Sequence, residues 1–186
     1  MKRVFTLALA IFVLMFFTSC SLITEIVRGN VARTNYDSEG VQTIQSTESS
    51  LVLEFPKSWT KNKLHEEASI QLCFIPEERY LIVIEESGND FADDFTLDDF
   101  VSIVLKNMQL AVDNAEVSAI KDTMIGSGTN AKQFEISCEV DKLKVKYFVT
   151  CAVNDEIYYQ FVAWSTQSKY DEAKPVYEDI LASASF

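Results

Sequence analysis

The stretch Lys132–Trp164, KQFEISCEVDKLKVKYFVTCAVNDEIYYQFVAW, decides the fold. Three runs rich in β-branched and aromatic residues are separated by two short polar breaks, Asp141-Lys142 and Asn154-Asp155. This is the pattern of an antiparallel meander. With Asp141-Lys142 as a two-residue turn, Phe134, Ile136, Cys138 and Val140 share a face with Leu143, Val145, Tyr147, Val149 and Cys151. The third run, Ile157–Trp164, carries aromatic residues at both parities, so both of its faces are expected to be covered.

Upstream of the meander, Leu51–Phe55 reads as a strand stopped by Pro56, with Trp59 in the following turn. Lys61–Glu67 is expected to form one helical turn. Ser69–Ile75 alternates, with Ile70, Leu72 and Phe74 on one face and Cys73 on the other. Tyr80–Ile84 is continuously apolar, as in a strand buried on both sides. Leu97, Phe100, Val101, Val104, Leu105, Met108 and Val112 recur at helical spacing behind Thr96, a natural N-cap. Ala115–Ile125 reads as one strand, and Gly126-Ser-Gly128 as a tight turn in place of a phosphate loop, since no helix follows it. A last helix is expected from Lys169 to Ala184, capped by Ser168 and interrupted or restarted at Pro175.

The amino terminus reads as an address. Lys2 and Arg3 precede an uncharged apolar run, Val4 to Phe17, of about 14 residues, long enough for a signal core. It is shorter than the ~20 residues that span a bilayer. Phe17-Thr18-Ser19-Cys20 then resembles the lipobox of bacterial lipoproteins, departing from it at Phe17, where Leu, Val or Ile is usual. The resemblance implies that the Cys20 thiol takes a diacylglyceryl group and that Cys20 becomes the new amino terminus. The alternative is an ordinary signal peptide cut near Ser19, with Cys20 an incidental thiol. The expected organisation is a signal peptide over 1–19, the lipidated Cys20 with a flexible spacer over 20–48, and one folded domain over 49–186.

The chain has 186 residues, 48% hydrophobic and 12% aromatic, which is enough apolar material for a real core. Its 28 acidic residues outnumber 16 basic ones, and Lys2 and Arg3 are lost with the signal. Nucleic acid is therefore an unexpected partner, and so are anionic lipid headgroups, leaving membrane attachment to the lipid. Besides Cys20 there are Cys73, Cys138 and Cys151, with no C-x-x-C pair, so free buried cysteines are expected. In the meander register Cys138 and Cys151 lie roughly 20 Å apart, too far for a disulfide.

No metal site or cofactor is expected. The acidic stretch Glu85–Asp99 lacks the D-x-D-x-D-G register of a calcium loop and reads as helix capping and solvation. His65, the one histidine, lies beside Glu66 and Glu67 and reads as a surface residue, and no G-x-S-x-G elbow exists. A catalytic site is not expected.

The order of these features resembles the Mog1/PsbP-like superfamily. The matching pieces are Leu51–Trp59, the helix opening Leu97–Phe100, Gly126 with the meander after it, and the ending Ser165–Phe186. The resemblance implies an α+β fold, with an antiparallel β-sheet of about six or seven strands flanked by helices as an α/β/α sandwich. It further implies a non-enzymatic binding or assembly-accessory module, anchored at the cell membrane or outer membrane and facing outside the cytoplasm. The partner is then an unknown protein or small ligand. The alternatives are a small-molecule or lipid carrier with an apolar pocket lined by Trp59, Tyr147, Tyr159 and Trp164, and a tethered hydrolase. The same four aromatics read equally as plain core.

Overall fold

A computed structural model describes residues 40–186. The main sheet has eight strands: β3 (Thr60–Lys61), β4 (Ile70–Phe74), β5 (Arg79–Ser87), β6 (Asp113–Val117), β7 (Lys121–Ile125), β8 (Thr129–Val140), β9 (Leu143–Asn154) and β10 (Ile157–Thr166). Their order is β3-β4-β5-β10-β9-β8-β6, with β7 also on β8, and every pairing is antiparallel. A hairpin of β1 (Val41–Gln45) and β2 (Val52–Pro56) forms a second, two-stranded sheet. The helices are α1 (Leu97–Ala111) and α2 (Tyr170–Ala182).

Each face of the sheet packs against one helix. Phe100, Val101, Val104 and Met108 of α1 join Ile82, Phe134, Val149 and Val162 in one core. Tyr170, Ala173, Tyr177 and Ile180 of α2 join Leu81, Phe148, Phe161 and the hairpin residues Leu53 and Phe55 in the other. The expected sandwich is thus present, and its central strand β10 is covered on both faces.

The β8–β9 register is the expected one, with Val140 opposite Leu143 and Cys138 opposite Val145. Asp141 and Lys142 both take positive φ, as a tight two-residue turn requires. The second turn lies one residue later than expected, at Asp155-Glu156, because Asn154 still pairs with Ile157. Cys73, Cys138 and Cys151 are free and buried.

Several expectations are corrected. The folded part begins ahead of Ser49: β1 lies within the stretch read as spacer, and its Ile44 is buried in the α2-side core. One inward residue in a polar strand is a weak periodic signal, and only pairing with β2 reveals it. Lys61–Glu67 is β3 followed by an irregular loop, not a helical turn. Ala115–Ile125 is split into β6 and β7, which pair with successive parts of the long strand β8. In α2, Lys169 occupies the N-cap without a side-chain bond, and Gln167–Lys169 forms a preceding 3₁₀ turn. The helix runs unbroken through Pro175, at the expense of one backbone donor.

Candidate functional site

The four aromatics singled out in the sequence do not converge. Trp59 and Tyr159 are each 1% exposed and belong to the α2-side core. Trp59 meets Tyr177 edge-on at 6.3 Å, and Tyr159 packs on Phe186 at 4.9 Å. They are structural core. Tyr147 and Trp164 lie on the opposite face, both half-buried.

On that face the register aligns Cys73, Tyr80, Trp164, Tyr147, Ile136 and Val117 across six strands. Tyr80 stacks on Trp164 at 5.2 Å and 16°, and Tyr147 leans on Trp164 at 6.0 Å. Offset stacking of this kind adds about 0.5–1.5 kcal/mol to area burial and holds the rings in place. Tyr177 of α2 donates its hydroxyl to the Trp164 carbonyl at 2.6 Å, fixing the strand from behind. Burial, then Glu78, raises the Tyr80 phenol to about 12, so it stays a hydrogen-bond donor.

Trp164 and Tyr147 stay partly exposed in this row, whereas Cys73, Tyr80 and Ile136 are buried. Helix α1 starts over β10, where Phe100 meets Tyr158 at 5.1 Å, and ends beside β6, whose Asp113 lies opposite Glu139. Its Asp98 bridges Lys132 of β8 at 2.9 Å, which directs that flank towards β8. With 3.6 residues per turn, Ile103 and Leu110 fall on roughly the opposite flank of the helix. Leu110 is 64% exposed. The candidate site is therefore the aromatic surface of Trp164 and Tyr147, with Tyr80 stacked on Trp164.

The remaining sequence candidates sit elsewhere. Cys20 lies outside the described residues. The acidic stretch Glu85–Asp99 holds no metal-binding group of side chains among the described residues. Its apolar members form an aromatic cluster: Phe91 stacks on Phe95 at 4.1 Å, and both lean on Tyr158. Thr96 and Asp99 form a reciprocal capping box at the start of α1, the expected cap. Hydrogen bonds from the Thr96 hydroxyl and backbone hold the Asp99 carboxyl below its usual range.

His65 is 7% exposed, not a surface residue. Burial lowers its pKa against the raising effect of Glu67 and Glu66. Its polar neighbours hid this in the sequence, while Leu64 and Ala68 beside it pack on the α1-side core. Burial likewise raises the Cys138 thiol to about 11 and the Cys151 thiol further, so neither is a ready nucleophile. Sequence reading missed Tyr80 as the stacking partner of Trp164, since only the β5–β10 register puts them opposite each other.

No family model matches this chain, and no curated protein does. Solved structures do. Cyanobacterial PsbP (CyanoP) from Synechocystis aligns with a TM-score of 0.61 at 13% identity, over 86% of this chain and 98% of that one. LpqN, involved in cell envelope biogenesis of Mycobacterium tuberculosis, aligns with a TM-score of 0.58 at 12% identity, over 81% of this chain and 93% of its own. At such identities what is shared is architecture, and in architecture this chain has the Mog1/PsbP-like α+β fold.

Proposed function

We propose that this protein is a lipid-anchored, extracytoplasmic, non-enzymatic binding or assembly-accessory module. Cys20 is the lipid attachment residue. The observation behind the binding half is the half-buried pair Trp164 and Tyr147, with Tyr80 stacked on Trp164. Large aromatics on a rigid strand are the residues that dominate protein recognition, because they bring area at low entropic cost. LpqN, which has the same fold, is involved in cell envelope biogenesis, a role compatible with the location proposed here.

Crosslinking and pull-down from native membranes test the binding half. The native chain is expected to retain a partner that Trp164→Ala loses while remaining folded. Equal recovery by both chains rejects the Trp164 surface. Mass spectrometry of the membrane-extracted protein tests the anchor: a mature start at Cys20 without lipid mass rejects it.

A further inference from the structure

Residues 62–69 connect β3 to β4 and lie over the α1 face of the sheet, with Leu64 and Ala68 packed on its core. Three hydrogen bonds from a single β4 side chain fasten this segment. Gln71 Oε1 accepts the backbone N–H groups of Leu64 and, at 2.8 Å, of His65, while Gln71 Nε2 donates to the Ala68 carbonyl at 3.0 Å. Inside the segment, buried His65 accepts the backbone N–H of Glu67 on Nδ1 at 3.2 Å. An imidazolium has no acceptor, so a proton on Nδ1 sets two donors against each other. It also places a charge where little water reaches.

We propose that residues 62–69 form an acid-released strap with His65 as its latch. The neutral imidazole holds the strap on the sheet, and the imidazolium lifts it. The charged groups around the latch oppose one another. Glu66 and Glu67 of the strap favour the imidazolium, although Glu66 is already paired with Lys63 at 2.7 Å. From β5, Glu86 faces Glu67, and Asp90 follows it; burial, then Glu67 and Asp90, push the Glu86 carboxyl up. Burial dominates at His65 and keeps it below its ordinary 6.5. The strap is therefore held fully above about pH 6.5, and its hold weakens as pH falls from there through the folded value. Leu64 and Ala68 pack on the core that contains Ile82 and Ile84 of β5, so lifting the strap takes cover from that core. That this surface then serves a partner rests on the binding reading above; the strap's release does not.

Hydrogen exchange on the mature full chain, corrected for intrinsic rates, tests the strap at about pH 7.5 and about pH 5.5. Protection at Leu64 and Glu67 is expected to fall on the order of tenfold at the lower pH while β9 and β10 keep theirs. His65→Leu is expected to abolish this response. Unchanged protection in the native chain, a loss shared equally by β9 and β10, or a response that persists in His65→Leu overturns the proposal. Should that variant not fold, nuclear magnetic resonance titration of the native imidazole decides. A midpoint below about 6.5 supports the latch, and one at or above that value overturns it.

Discussion

Ser46 donates its hydroxyl to Glu85 Oε1 at 2.5 Å, and this bond fastens the β1–β2 hairpin to the main sheet. The same carboxylate oxygen accepts Ser69 Oγ at 2.6 Å. Ser46 Oγ in turn accepts the backbone N–H groups of Glu48 and Ser49, closing the loop between β1 and β2. Ser46→Ala removes the three bonds made by Ser46 Oγ and leaves the one from Ser69. The expected loss is about 1–3 kcal/mol, since the acceptor is a carboxylate, and urea unfolding measures it. A change within experimental error means that the hairpin is held by its apolar side alone.

Gly126 closes the opposite end of that arrangement. It sits at φ +53, and a Cβ there would lie 2.0 Å from the Ala184 carbonyl oxygen. Its N–H donates to Leu181, and the chain end then pairs with β2 through Val52 and Ser185. Gly126→Ala is expected to cost about 2–4 kcal/mol, combining backbone strain with displacement of the chain end. Thermal unfolding reads the loss, and a variant as stable as the native chain contradicts the close approach.

Trp59 and Trp164 separate core from surface. Trp59→Ala is expected to cost about 3–5 kcal/mol, because a 1%-exposed side chain leaves a cavity. Trp164→Ala, at a half-buried position, is expected to cost clearly less while losing partner capture. Equal destabilisation by the two would make Trp164 a core residue and remove it from the binding surface.

The thiols give a chemical test of burial. In the folded protein a thiol reagent at neutral pH is expected to leave Cys73, Cys138 and Cys151 unmodified, because all three are buried and Cys138 is raised to about 11. In denaturant all three become reactive. Cys20 stays silent in both states if it carries the proposed thioether-linked lipid, and reacts if it does not.

Glu86 carries a pH signature. Its folded pKa is raised above 4.5, chiefly by burial, so the folded state holds the proton more tightly than the unfolded chain. That contribution is full below about pH 4.5 and is lost as pH rises through the folded value. Glu86→Gln is therefore expected to stabilise the protein at neutral pH, with the gain fading by about pH 4. Denaturant unfolding across that range checks it, and a gain independent of pH contradicts the titration.

Much of the architecture was legible because its signals are local. The Asp141-Lys142 turn set the β8–β9 register, and period-two alternation then assigned both faces. The apolar stripe after Thr96 specified α1 and its cap. The proposed address at Lys2 to Cys20 is likewise a matter of local order along the chain. Where the signal was not local, reading failed. β1 has one buried residue, Ile44, and becomes a strand only through β2. His65 is polar among charged neighbours, and its burial is decided by Gln71 six residues away.

The four aromatics show where sequence stops. Composition and spacing established that Trp59, Tyr147, Tyr159 and Trp164 belong to a sheet-and-helix core region, and nothing in the chain order could divide them. The division follows from pleat parity on paired strands. It places Trp59 and Tyr159 in the buried core on the α2 side, and Trp164 and Tyr147 half-buried on the α1 side. Alternation along one strand is written in that strand. Which strand lies beside it, and what covers the face they make, is settled only when distant segments pack.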